Sequence, residues 1–171
     1  MIRTELLNNE NFNEYSLDSY ERRQNVKKVY RRTDGIYKLV DLPYTEDWTL
    51  EEKREKVKML SDSKYITYLA LDGSRIVGFI GLPKTLVDGY MILDMIHVSA
   101  QYRGHGTGRK LFELGKAAAR KAGAKALYIS ACSSEETIAF YKAMGAVLAE
   151  NPIKSIAEKE PYDLQMICKI E

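Results

Sequence analysis

Cysteine is scarce in this chain, and so are the other features that would assign it to a specialised class. Its two thiols, Cys132 and Cys168, lie far apart in a sequence of 171 residues. They form neither a metal-ligand spacing nor a disulfide framework, and no metal site is expected. Free thiols in an intracellular protein are the plain reading, with the cytoplasm as the expected location. No apolar run reaches the roughly 18 residues of a membrane span, and the start, MIRTELLNN, lacks the apolar core of a signal peptide. A net charge of +2 favours neither nucleic acid nor membrane as a partner. There is no internal repeat, low-complexity stretch or linker. What is left is one domain over residues 1–171, 45% apolar and 29% charged, long enough to bury a substantial core.

The stretch that stands out is Ile92 to Leu111, ILDMIHVSAQYRGHGTGRKL. It opens as an apolar strand, turns through Gln101 to Gly108, and continues as a helix from about Arg109. A strand, a glycine turn and a helix start together can hold a phosphate. Glycine lets the backbone approach a ligand at positive φ, and the first helical N–H groups have no intrahelical partner. Two better-known glycine loops are excluded. The dinucleotide pattern needs a third glycine where Arg109 stands, and the nucleoside-triphosphate loop needs Gly-Lys-Ser/Thr. Residues 101–125 carry seven basic side chains against one acid, Glu113, so positive charge gathers on the helix that bears the loop. That coincidence favours a polyphosphate ligand over a merely solvated helix face.

Around this stretch the chain reads as alternating elements. Residues 2–7 suit an edge strand. Ser16 to about Arg32 reads as a helix, with Leu17, Tyr20, Val26 and Val29-Tyr30 set among charges and Ser16 as N-cap. Ile36 to Leu42 is strand-like and Pro43 is expected to close it. Thr49 to Glu52 is a capping box for a helix to about Leu60. Tyr65–Leu71 and Ile76–Leu82 form a hairpin about Asp72-Gly73, and Tyr90–Val98 is the central strand. The glycine-loop helix ends near Ala122 before Gly123, and Ala126–Ala131 is a short buried strand. Ser133 to Glu136 reads as a second capping box, opening a helix that runs through Met144 to Gly145. Ala146–Ala149 and Leu164–Ile170 suit a last pair of strands.

The run Arg103-Gly104-His105-Gly106-Thr107-Gly108, with Gln101 two residues earlier, resembles the acyl-CoA pyrophosphate loop of the GNAT superfamily of N-acetyltransferases, Gln/Arg-x-x-Gly-x-Gly/Ala. It fits in either of two registers, from Gln101 or from Arg103. A second stretch, Ser134-Glu-Glu-Thr-Ile-Ala-Phe140-Tyr141-Lys-Ala-Met-Gly145, is similar to the family's Asn-x-x-Ala-x-x-Phe/Leu-Tyr-x-x-x-Gly-Phe. Ser134, Thr137 and Ala146 depart from that pattern, and Ala100 stands where a proline is often found before the loop. The resemblance covers roughly residues 65–170. It implies an α/β (α+β) GNAT fold: a mixed, mostly antiparallel twisted sheet flanked by helices, its central strand splayed at an acetyl-CoA site. The family's order of a strand, two helices, antiparallel strands and βαβ units agrees with the elements above. Residues 63–171 would form the acetyl-CoA-binding core and residues 1–62 the acceptor side.

By that resemblance the backbone of Arg103, Gly104, His105, Gly106, Thr107 and Gly108 would hold acetyl-CoA, helped by Arg109, Ser134, and the groups of Ile96, His97 and Val98 on the splayed strand. A backbone N–H there would also serve an oxyanion. Tyr141 matches the family's general acid; a phenol, with pKa near 10, stays protonated at neutral pH. Asp94 is a carboxylate in an apolar strand and needs partners or a raised pKa. It is either a general base, acting directly or through water, or a hydrogen-bonded structural group. Strand alternation puts His97 on the face opposite Asp94, so it reads as packing or cofactor-lining, while His105 offers mainly its backbone. Cys132 reads as a small buried residue. Tyr44, Glu46, Asp47 and Trp48 could wall an acceptor pocket, but stapling the N-terminal helices to the sheet is the reading adopted for them. The implied reaction is acetyl transfer from acetyl-CoA to a primary amine of a small molecule, protein or peptide, by direct attack in a ternary complex; a homodimer is compatible with it. The alternative is a non-enzymatic acyl-CoA sensor or interaction module on the same scaffold, against which the presence of Tyr141 argues.

Overall fold

The computed structural model describes residues 1–171. The chain opens with β1 (Ile2–Leu6), and the first departure from expectation follows it. Residues 16–32 do not form a helix. Leu17 and Tyr20, 0% and 4% exposed, lie in a series of turns packed on Phe79, and the chain then extends as β2 (Gln24–Thr33). β2 turns at Asp34-Gly35 and pairs antiparallel with β3 (Ile36–Glu46). Tertiary pairing overrides the apparent helical period here. Pro43 does not close β3. The register slips opposite Leu42-Pro43, between Val26 and Lys28, and such an irregularity is where a strand tolerates a residue without an N–H.

Thr49 then caps α1 (Leu50–Ser61) with the expected capping box, both reciprocal bonds being made. β4 (Tyr65–Asp72) and β5 (Arg75–Pro83) form the hairpin. The expected single strand 90–98 is two strands, β6 (Tyr90–Ile92) and β7 (Met95–Val98). The first belongs to one sheet and the second to another. A sheet ordered β1-β4-β5-β7 is antiparallel throughout. After α2 (Thr107–Lys121) comes β8 (Ala126–Ala131), which pairs parallel with β6. α3 (Glu135–Ala143) leads to β9 (Val147–Leu148), the short helix α4 (Lys154–Ala157) and β10 (Leu164–Cys168), completing a second sheet ordered β6-β8-β10-β9. The N-cap of α3 is Ser134, not Ser133: Ser134 Oγ accepts from Thr137 N at 3.3 Å, while Ser133 Oγ accepts from Arg31 Nη1 at 2.8 Å.

Two apolar clusters hold this together. One lies where α2 covers both sheets, with Leu111, Phe112, Ala118 and Ala119 of the helix against Ile80, Leu82, Leu127 and Ile129. The other, on the opposite face of the first sheet, joins Phe12, Leu17 and Tyr20 to Val57 and Leu60 of α1 and to Leu69 and Phe79. No helix is long and apolar enough to cross a membrane.

Candidate active site

The site exists because the two sheets part company along one segment. Leu93 donates its N–H to Tyr128 O of β8, and Asp94 donates to Gly81 O of β5. Beyond that point β7 stays with β5 and has no ladder to β8. Ser99 donates to Val77 O at 2.8 Å. Counting back in alternation, His97 faces Phe79, and the backbone groups of Ile96 and Val98 point away from β5 into the gap.

The glycine loop closes one end of the gap. After a 3₁₀ turn at Ala100–Tyr102, Gly104 and Gly106 take φ of +79° and +82°, which the chain can hold cheaply only with glycine. Gly106 caps α2 with no side-chain bond, so the first N–H groups of the helix stay free to face an anion. Gly108 is needed for another reason: a Cβ there would lie 3.0 Å from Phe140 Cε2.

The resulting cleft, of about 460 Å³, brings together Ile96, His97, Val98, Arg103, Gly104, Gly106, Gly108, Arg109 and Tyr141. Three other expected residues do not line it with their side chains, and of two of them, His105 and Thr107, only the backbone is expected to serve. His105 is exposed on the loop, Thr107 is buried beneath the helix start, and Ser134 is sealed at the N-cap of α3. Asp94 lies outside the lining too. It is exposed at the break between β6 and β7, not buried in a continuous strand, and its Oδ2 accepts from Tyr65 Oη at 2.5 Å. Gln24 of β2 lines the cleft and was not foreseen. Its Nε2 donates to Ser134 Oγ at 3.3 Å and Thr137 Oγ1 at 3.4 Å, tying the hairpin to α3. No local signal marks it, because the contact spans 110 residues.

Tyr141 is 7% exposed, yet its hydroxyl makes no hydrogen bond within the chain and opens on the cleft. Burial pushes its pKa well above the usual phenol value, and Cys132 and Asp163 add to the rise. It is held as the protonated phenol. Around it lies a neighbourhood of groups close enough to perturb one another. Burial raises Tyr44 to about 12, with Cys132 and Glu46 reinforcing the shift. Burial also raises Asp163, against the hydrogen bond from Ser130 Oγ at 2.9 Å. Cys132 is half-buried, more open than the sequence reading assumed. Trp48 does staple: it stacks on Phe79 at 6.2 Å, the Arg22 guanidinium lies 5.2 Å from its ring, and Arg22 in turn pairs with Glu46 at 3.2 Å. Tyr44, by contrast, lies against Cys132, which also acts on Tyr141, and Glu46 acts on Tyr44 and Asp163.

His97 sits between the loop and the N-terminal segment. Its Nδ1 is 2.6 Å from Tyr20 Oη and its Nε2 is 3.1 Å from Arg103 Nη2. Burial, with Arg22 and Arg103 nearby, pushes its pKa down to about 2, so the ring is neutral.

Residues 33–146 match the sequence profile of the acetyltransferase (GNAT) family. No curated protein matches the chain. Among solved structures, a nourseothricin acetyltransferase superposes with a TM-score of 0.76 at 20% identity, covering 99% of each chain. A Bacillus anthracis protein described as a streptothricin acetyltransferase, in complex with acetyl coenzyme A, gives 0.75 at 18% identity over 100% of this chain and 99% of that one. The ribosomal-protein-S18-alanine N-acetyltransferase of Escherichia coli gives 0.61 at 16% identity, over 100% and 95%.

Proposed function

This chain belongs to the GNAT acetyltransferase family, and from that premise we propose that it moves an acetyl group from acetyl-CoA to a primary amine by direct attack in a ternary complex. The residues present suit the donor. The unladdered edge of β7 offers the N–H groups of Ile96 and Val98 and the carbonyl of Ile96, of the kind an extended amide chain needs, while Val98 O is engaged by Arg103 Nε. The loop from Arg103 to Gly108 and the free N–H groups of α2 suit a pyrophosphate, and Arg109 adds charge at the mouth. Bound there, acetyl-CoA supplies an acetyl group activated as a thioester.

This chain's own groups would do the rest. The observation that carries the reading is Tyr141, a buried phenol without a protein partner, opening on the same cleft as the β7 edge and the glycine loop. The amine would attack in its neutral form, its ammonium proton having gone to solvent. As nitrogen bonds to the carbonyl carbon and the carbon–sulfur bond breaks, the phenolic proton would pass to the departing sulfur, and the proton shed by the acylated nitrogen would restore the phenol. A backbone N–H on the open side of β7 would steady the oxyanion. Asp94, bonded to Tyr65 outside the cleft, is assigned the structural role.

The acceptor we favour is a small cationic amine. Asp163 acts on Tyr141, and Glu46 of the hairpin acts on both Tyr44 and Asp163, so carboxylate charge lies near the phenol and would suit an ammonium group entering from the hairpin side. The nourseothricin and streptothricin acetyltransferases superpose at higher TM-scores than the S18-alanine enzyme, 0.76 and 0.75 against 0.61, and that supports the choice, although all three likenesses extend over the hairpin. The free thiols support a cytoplasmic setting.

The test is thiol release from acetyl-CoA with a panel of amines: a streptothricin, a polyamine, an amino acid and a lysine peptide. Turnover on a small amine is expected. Acetyl-CoA binding without turnover on any amine would favour a sensor, and no acetyl-CoA binding would sink the reading.

A further inference from the structure

We propose that His97 positions the glycine loop: as the Nδ1–H tautomer it presents a bare Nε2 that holds the Arg103 guanidinium against the edge of β7, and Tyr20 supports that tautomer by accepting the Nδ1 hydrogen. The inference rests on the acetyl-transfer reading for the loop's ligand, but its geometry stands alone.

An arginine side chain only donates. With Arg103 Nη2 at 3.1 Å, His97 Nε2 must therefore carry a lone pair. A neutral imidazole bears its one hydrogen on the other nitrogen, and Tyr20 Oη, 2.6 Å from Nδ1, accepts it. The other two protonation states would set an N–H against the guanidinium. The charged groups facing the ring are Arg22 and Arg103, both cations, and Trp48 and Phe79 close its flanks. No carboxylate is bonded to the ring to favour an imidazolium.

The consequence falls on the loop. Arg103 immediately precedes Gly104, the first residue at positive φ. Its Nε also donates to Val98 O at 2.9 Å, so the guanidinium bridges the loop's entry to β7. A glycine-rich loop is loose by nature. Anchoring its first residue sets where the phosphate-facing N–H groups lie before any ligand arrives, which removes an ordering cost from binding. Tyr20 does not line the cleft, yet it should govern affinity for acetyl-CoA through His97.

The experiment has two arms. Nitrogen–proton correlation spectra of the ligand-free protein should show a protonated Nδ1 and a bare Nε2 at His97; the reverse tautomer overturns the proposal. Calorimetry with acetyl-CoA then compares three variants, each checked for folding by its melting temperature. His97→Gln places an acceptor oxygen where Nε2 was and should bind close to wild type. His97→Asn reaches only to the Nδ1 position and should lose about tenfold, the cost of one hydrogen bond to a charged group. Tyr20→Phe leaves Nδ1–H unpaired and should lose a similar factor. Equal affinities across all three would also overturn the proposal. A wild-type protein that binds no acetyl-CoA would defeat the acetyl-transfer reading whatever the tautomer, whereas the reverse tautomer in a protein that binds it defeats this proposal alone.

Discussion

Leu93 and Asp94 are consecutive, and their N–H groups hydrogen-bond into different sheets, one to Tyr128 O at 2.9 Å and the other to Gly81 O at 3.1 Å. One peptide bond thus separates a segment paired with β8 from a segment paired with β5. Everything beyond it diverges, which leaves the open edge of β7 that the cleft is built on.

Tyr141→Phe keeps the ring against Phe112 and Phe140, so the melting temperature should barely move. Acetyl-CoA should bind as before. Turnover should fall by roughly 10²–10⁴-fold, the usual contribution of general acid catalysis. Because burial raises the Tyr141 pKa, loss of its proton should produce no decline in rate below about pH 10. Steady-state kinetics on the best amine, at matched donor saturation, decide the matter; a near-wild-type rate would make Tyr141 a core aromatic.

Asp94→Asn should leave the rate per folded molecule and the acid limb of its pH profile intact, because the carboxylate faces Tyr65 and not the cleft. The expected effect is a small loss of stability from weakening that contact. A fall in the chemical step with unchanged stability would restore Asp94 as a base.

Gly106→Val should weaken acetyl-CoA binding, and the cause is conformational. Nothing lies within 4 Å of a Cβ at that position, but φ is +82°, where a β-branched residue is strained by about 1–3 kcal/mol. Gly108→Ala should fail differently, by pushing Phe140 and so disturbing α3. Titration calorimetry and thermal melts on both variants separate the two causes.

His97 gives a pH signature. Its folded-state pKa is depressed to about 2 from an ordinary 6.5, so folding favours the neutral ring. The unfolded imidazole takes up a proton as pH falls below 6.5, so this contribution is present above that value and is lost below it. One such proton costs about 2 kcal/mol by pH 5. Denaturant melts of wild type and His97→Gln at both pH values should diverge by about that amount. Parallel curves would mean that the ring titrates normally in the folded protein.

The sequence was most legible where the physics is local. The α1 capping box, the β4–β5 hairpin signalled by Asp72-Gly73 and the strand–glycine–helix run can each be read from a few adjacent residues, and each is present, the hairpin with Gly73-Ser74 as its loop. The first hairpin was not legible. Val26 and Val29 sit three apart and imitate a helical face, and only pairing with β3 and docking of Val29 on Ser134 make the segment a strand. The break at Leu93-Asp94 was hidden for a similar reason: the run is apolar throughout, and the choice of partner strand is made by residues far away. Gln24 and the Tyr20–His97 contact join positions 110 and 77 residues from their partners, distances that no spacing rule spans.

β3 has one ladder only, to β2, and β2 joins the body at the start of α3, through the Val29–Ser134 bridge, the Tyr30–Ser133 hydrogen bond and the side chains of Gln24 and Arg31. Tyr44 and Glu46 ride on that arm, while Arg103 to Gly108 and Tyr141 belong to the frame. In the proposed reading, donor and acceptor are thus met by separate parts of the fold. If the hairpin faces the amine as proposed, replacing the stretch from Asn25 to Asp47 exchanges that side and spares Arg22, Arg23 and Gln24, which touch the loop's surroundings and the cleft, so this is the natural unit to graft when the aim is a new acceptor.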